Sequence, residues 1–400
     1  MSGPLTGLRV VELCDQLGQL AGKLLADMGA DVIKVEPPGG SLARAVGPFV
    51  DDQPGPNRSL NFWYHNTNKR SVVLDLTAPE GAETWTNLVA RADIVIEDRT
   101  PGDLGALGYA GVGAQRPQLI WCSITPFGQT GPWAGYQATD MIGLALGGPM
   151  MMNGYDSEDA DGAPPIHGKG DQGYNTACHY AVQGILAALL YRDRTGQGQY
   201  IDASMHEACS STTEVGLPWW FTARTNVFRQ TGRHAAAQHT EPWLHMANDG
   251  QYALIFGVGR DNASWKRIKE WFQADGIGMQ LDEERFDAPG ARQSGRGSPE
   301  AAEVMRELSR FIARHTASEI YRGGQERRQS WGVVRAPSEA LEEAHWDDRG
   351  FWAETTGEGR DTPVRMPGAP YQFSATPWEL RRPAPKLGEH TAEVLAEWLG

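Results

Sequence analysis

Leu8-Arg-Val-Val-Glu-Leu-Cys14, the segment Gly18 to Gly29, and Asp31-Val-Ile-Lys-Val-Glu36 together decide the fold. The outer two are apolar runs of strand length. Between them Leu20, Leu24, Leu25 and Met28 recur at helical spacing. Pro37-Pro38-Gly39-Gly40 stops the second run. Strand, helix, strand is a β-α-β unit, and such units cross over right-handed and build parallel sheets. The alternation continues with a strand over Ser71-Val-Val-Leu-Asp-Leu76 and a helix from Pro79 to Ala92, with proline near its first turn. Two more strands follow, Asp93 to Glu97 and Gln118 to Ile124. This is the pattern of an open α/β sheet with helices on both faces. Beyond residue 215 the pattern loosens to a strand over Gln251–Phe256, helices near Ala263–Ala274 and Pro299–His315, a polar loop around Pro289 and a terminal helix over Thr391–Trp398.

At 400 residues the chain is long for one domain, and two are expected. Net charge is −14, which speaks against a nucleic-acid partner, because phosphate binding needs a basic face. A small anion held by a local patch of Arg and Lys remains compatible with that charge. No run reaches membrane-spanning length and the N-terminus lacks a signal-peptide pattern, so no membrane association is expected. Cys14, Cys122, Cys178 and Cys209 are scattered, without metal or redox spacing; they read as buried thiols in a reducing cytoplasm, and no metal site is expected. Glu36, ending the second strand, invites a dinucleotide reading. The turn Cys14-Asp-Gln-Leu-Gly18-Gln-Leu-Ala-Gly22 lacks the three-glycine fingerprint, which argues against NAD or FAD.

The chemistry concentrates at Lys169-Gly-Asp171-Gln-Gly173, which opens a long apolar helix through Leu190. A carboxylate at a helix start faces unpaired N–H groups and the positive end of the helix dipole, and both keep it ionised. Gly170 and Gly173 leave room for a large substrate. An ordinary capping aspartate would look the same locally.

Taken together, the motifs resemble the family III CoA-transferases (the CaiB/BaiF family, which includes formyl-CoA and carnitine CoA-transferases). The likeness runs over nearly the whole chain. It is carried by Leu8-Arg-Val-Val-Glu-Leu13, Leu25 to Gly40, Asn68-Lys-Arg-Ser-Val-Val-Leu-Asp-Leu76, Phe127-Gly-Gln-Thr-Gly-Pro132, Gly170-Asp-Gln-Gly173, Arg194 to Met205 and Ala384 to Thr391. No one of these is specific, but their order and spacing are. The resemblance implies CoA transfer from an acyl-CoA to a free carboxylic acid, with Asp171 as the covalent nucleophile. CoA enters as a substrate, and no tightly bound cofactor is expected. It also implies Gln16 at the first strand–helix turn as a donor or a fixing group for the intermediate, with backbone N–H groups around Gly173 as oxyanion donors. For CoA it points to Arg44, Lys69, Arg70 and Arg99, each of which could equally be solvated surface charge. The chain departs from the family at Asp98-Arg99-Thr100-Pro101-Gly102, where relatives commonly read Asn-Phe, and at Thr125, where some carry lysine.

The α-methylacyl-CoA racemases share this fold and this aspartate but pair it with a histidine, where this chain has Thr139, which is no base near neutral pH. His167 and His179 are the histidines nearest in sequence. A non-catalytic CoA-binding partner subunit is the remaining alternative. The expected architecture is a large doubly wound, Rossmann-like α/β domain from both chain ends, 1–219 and 331–400. A smaller domain over 220–330 would cover the acyl pocket, and the whole would form an interlocked homodimer. Pro218-Trp-Trp-Phe221 would either receive a bulky acyl group or pack a domain interface.

Overall fold

A computed structural model of the chain describes residues 3–103, 105–156, 162–213, 216–292 and 298–400. They form two compact units. The first comprises the chain up to Gly147, Gly168–Thr212 and Ala344–Gly400; the second comprises Gly148–His167 and Thr213–Glu343. Residues 148–167 thus group with the second unit, which also runs on to 343, beyond the 331 at which the sequence suggests a boundary.

The first unit begins with β1 (Arg9–Leu13), α1 (Gln19–Asp27), β2 (Asp31–Glu36), α2 (Leu60–His65), β3 (Lys69–Val73), α3 (Pro79–Val89) and β4 (Ile94–Glu97). It continues through α4 (Tyr109–Gln115), β5 (Ile120–Thr125), α5 (Asp140–Gly147), α6 (Gln172–Thr195), β6 (Tyr200–Ser204) and α7 (Met205–Ser211). α1 stops where Gly29 takes φ +104° and donates to Ala26, while the Ala30 N–H reaches back to the Leu25 carbonyl. This glycine closure frees the chain to re-enter the sheet as β2.

The strands pair in the order β3-β2-β1-β4-β5-β6, all parallel. One face carries Val11, Ile33, Val72, Val95 and Trp121 against α3 and the C-terminal helix. The other face packs on α1 and α6. Burial on both faces explains why these strands read as continuous rather than alternating apolar runs. The same buried sheet holds charge: Glu12 of β1 lies between Lys34 (2.8 Å) and Lys69 (2.7 Å), with all three side chains fully buried. A Cβ on Gly22 would stand 1.7 Å from Glu12 Oε2, so only glycine lets α1 close over this network.

The second unit contains α8 (Gly216–Ala223), β7 (Phe228–Gln230), β8 (Arg233–Ala236), β9 (Leu244–Met246), β10 (Tyr252–Ile255), α9 (Asn262–Ala274), α10 (Pro299–Ile312), α11 (Ala317–Glu326) and β11 (Trp331–Val333). Its antiparallel sheet runs β11-β10-β9, and Trp265, Phe272, Leu308, Phe311 and Trp331 fill its core. Of the polar loop expected around Pro289, residues 293–297 lie outside the described residues.

The chain then returns to the first unit with α12 (Ala344–Asp348), the hairpin β12 (Trp352–Gly357) and β13 (Arg360–Pro367), and α13 (Thr391–Leu399). The His390 N–H donates to the Ser71 carbonyl and Thr391 Oγ1 accepts from the Val73 N–H, both at 3.0 Å, tying the C-terminal segment to β3. Among the described residues no helix is long and apolar enough to cross a membrane.

Candidate active site

Strand order reverses between β1 and β4. In open α/β sheets the crevice beyond the carboxyl ends of two such strands is where ligands bind, because the following helices leave on opposite faces. A cavity of about 230 Å³ lies there. Asp15, Gln16 and Leu17, which follow β1, and Asp98, Arg99, Thr100 and Pro101, which follow β4, line it together with Tyr136, Gln137 and Tyr174. Two residues far apart in sequence and singled out from it, Gln16 and Arg99, therefore line one crevice.

The crevice is not a simple cationic pocket. Arg99 Nη2 stands 3.2 Å from Asp15 and 3.6 Å from Asp98, and its Nε donates to the Leu13 carbonyl at 3.3 Å. Burial pushes the Asp98 carboxyl up to about 6, with Arg99 pulling it down and Asp15 pushing it further up. The Tyr174 phenol is also raised, chiefly by burial. Tyr174 is in the first turn of α6, three residues after Asp171.

Asp171 precedes α6 in the left-handed region, at φ 53° and ψ 44°, after Gly170 at φ +98°. Positive φ on a side-chain-bearing residue is uncommon and marks a turn held by its surroundings. Asp171 is the N-cap residue by position, yet its side chain makes no capping bond. That role belongs to Asp140, the first residue of α5, whose Oδ1 accepts the Gly173 N–H at 2.7 Å and the Tyr174 N–H at 3.1 Å. A side chain on Gly173 would crowd Asp140 Oδ1 at 3.1 Å and Cys209 Sγ at 3.3 Å, so the glycine serves this close approach. The Gly173 N–H, expected as an oxyanion donor, is thus engaged with a carboxylate.

The other sequence candidates lie away from the crevice, with their charges engaged. A guanidinium has five N–H donors. Those of Arg44 meet both Glu36 oxygens (2.6 and 2.8 Å), the Pro56 carbonyl (2.9 Å), Asn57 Oδ1 (3.2 Å) and the Pro385 carbonyl (3.2 Å). The three donors of Lys69 go to Glu12 (2.7 Å), the Gln19 carbonyl (2.7 Å) and Asn66 Oδ1 (2.9 Å), and burial draws its ammonium down to about 8. Arg70 is buried against Asp31, Glu393 and Glu397, binding α13 to the sheet. Thr139 is exposed. His179 is exposed too, its ring bonded to the Asn175 carbonyl at 2.7 Å. His167 falls in the second unit, as do the exposed Trp219, Trp220 and Phe221.

Sequence reasoning did not single out Asp140 or Asp98 as parts of the site. Asp140 opens α5 directly after Thr139, and Asp98 directly follows β4. Both were visible as letters, but the partners that give them roles are 33 and 83 residues away.

The family model for CoA-transferase family III matches residues 5–391. Succinyl-CoA:(R)-benzylsuccinate CoA-transferase subunit BbsE of Thauera aromatica is 33% identical over 97% of this chain and 93% of its own length. Succinate–glutarate CoA-transferase of Agrobacterium fabrum is 35% identical over 98% and 95%. A crystal structure of a CaiB/BaiF family protein from Brucella suis superposes with a TM-score of 0.81 at 29% identity, covering both chains fully.

Proposed function

The chain belongs to CoA-transferase family III and is a CoA-transferase, and we propose that it works through covalent aspartyl intermediates on Asp171. The observation that carries the proposal is the division of labour at the start of α6. Asp140 caps the helix, and Asp171 stands in a constrained left-handed turn at the positive end of the same helix.

In the proposed reaction an Asp171 oxygen attacks the thioester carbonyl of the donor, CoA leaves as thiolate, and a mixed anhydride forms. The thiolate attacks the aspartyl carbonyl, releases the donor acid as carboxylate and leaves an aspartyl-CoA thioester. The acceptor carboxylate attacks that thioester, giving a second anhydride and thiolate. The thiolate then attacks the acceptor acyl carbon and restores the Asp171 carboxylate. Four acyl exchanges need no net proton and no outside energy source, and thioester energy is kept throughout. Each tetrahedral intermediate needs a hydrogen-bond donor, and with the Gly173 N–H bound to Asp140 the Gln16 amide is the proposed one.

The crevice suits the neutral, amide-bearing arm of CoA better than its phosphates. Arg99 is matched by two carboxylates, whereas Gln16, Gln137 and Tyr174 supply neutral partners. Relatives named for succinyl-CoA or succinate suggest succinyl-CoA as donor. Exposed Met141, Ile142 and Leu146 on α5 and Tyr180, Leu190 and Tyr191 on α6 support assembly with a second copy. Four free, buried cysteines suit a reducing cytoplasm. The test is Asp171→Asn and Asp171→Ala, which should fold, bind acyl-CoA and lose transfer. Wild-type turnover in either variant would sink the proposal.

A further inference from the structure

One buried carboxylate holds both ends of the turn that carries Gln16. Asp98 is 3% exposed at its side chain. Its two oxygens accept the Asp15 N–H at 2.9 and 2.8 Å, and Oδ2 also accepts the Gly18 N–H at 3.1 Å. Gln16 lies between the two pinned positions. The same carboxylate lies 3.6 Å from Arg99, whose guanidinium also reaches Asp15, and Asp15 in turn accepts the Leu42 N–H at 2.8 Å. The acid therefore links both walls of the crevice, the turn after β1 and the segment after β4.

We propose that Asp98 is a positioning residue for CoA transfer, its ionised carboxylate fixing Gln16 and Arg99 at the switch-point crevice. The proposal rests on the CoA-transfer reading above. A merely structural strand-end bond would tolerate any acceptor of similar shape. Here both oxygens accept, and an amide offers one acceptor and turns two donors towards an N–H. The negative charge also matters, because it shares Arg99 with Asp15. The groups facing Asp98 are Cys14 and Asp15 from the β1 end, Glu97 and Arg99 from the β4 end, and Tyr174 and Cys178 from α6. Burial raises both thiols and the phenol, which keeps them neutral, and it raises Glu97. Asp98 itself is raised to about 6, so acidification below that value protonates it, weakens both N–H bonds and releases Arg99 towards Asp15.

The experiment is kcat/KM for a succinyl-CoA donor from pH 5 to 8 in the wild-type protein, Asp98→Asn and Arg99→Gln. The wild type should lose activity on the acid side with an apparent pKa near 6. Asp98→Asn should be lower by about tenfold or more at pH 7.5, the worth of one buried charge-assisted bond, and flat across that limb. Arg99→Gln should move the limb to higher pH, because Asp98 and Asp15 lose their cation. A limb unchanged in Asp98→Asn, or left in place by Arg99→Gln, overturns the proposal. Should Asp98→Asn not fold, the Arg99→Gln limb decides alone. A wild type that transfers no CoA would instead overturn the functional reading, whereas an active wild type matched by Asp98→Asn overturns only the positioning role.

Discussion

Replacing Asp140 by alanine tests the division of labour on which the candidate site depends. In the native chain one buried carboxylate oxygen takes two backbone N–H groups at the start of a 24-residue helix, at 2.7 and 3.1 Å. Alanine leaves the buried Gly173 N–H without an acceptor and removes a favourable charge from the positive end of α6. A lost cap costs about 0.5–2 kcal/mol, and an unsatisfied buried donor about 1–3 kcal/mol. These overlap, because they count partly the same bonds, so a net loss of about 2–3 kcal/mol is expected. Asp140→Asn keeps an oxygen and should lose only the charge–dipole part, about 1 kcal/mol. Asp171→Asn removes no cap and should stay within about 0.5 kcal/mol of wild type. Urea unfolding followed by far-ultraviolet circular dichroism measures all three. Two compact units can give two transitions, and the shift should be confined to the one in which α6 melts. If Asp140→Ala costs less than Asp171→Asn, the assignment of the cap to Asp140 is wrong and the division of labour fails with it.

The left-handed turn makes a second prediction: Asp171→Gly should be at least as stable as wild type, and Asp171→Ala less stable by about 1 kcal/mol, compared by thermal melting. His65 and His245 are both held neutral by burial, with their pKa lowered to about 4 from 6.5. The unfolded chain binds the extra protons, so stability is full above pH 6.5 and is lost as pH falls from 6.5 towards 4. The loss is at most about 3 kcal/mol per histidine. His65→Gln should flatten part of this acid slope in denaturation measured between pH 4 and 7, and an unchanged slope would refute the role of His65. Finally, Lys69→Met breaks a fully buried ion pair and should cost about 3–5 kcal/mol. Arg99→Met, at a side chain 31% exposed, should cost under about 1 kcal/mol. Equal losses in thermal melting would contradict the assignment of Lys69 to the core.

The parallel sheet was legible because strands buried on both faces carry unbroken apolar runs, and Asp31–Glu36 is bounded as the sequence predicts. The place of Asp171 at the start of α6 was legible because glycines flank a lone acid ahead of an apolar helical run. The cap itself was not legible, since position alone does not say which side chain accepts the helix N–H groups. The true acceptor, Asp140, arrives from the preceding helix. The partners of the cations were hidden for a related reason. Arg44, Lys69 and Arg70 read as solvated or ligand-facing charge, yet their acids, Glu36, Glu12 and Asp31, come from neighbouring strands or their ends. Pairing across a sheet is a matter of register, which a sequence pattern does not disclose. Arg99 differs in that its segment follows β4 at the point where strand order reverses, and only the topology brings it beside Gln16.

The most direct test of the central claim is peptide mass spectrometry after mixing the protein with succinyl-CoA and trapping activated carboxyl groups with hydroxylamine or borohydride. The account predicts modification that depends on acyl-CoA and is confined to the peptide containing Asp171. Turnover of CoA between acids with no modification of that peptide, or trapping at another residue, would contradict it.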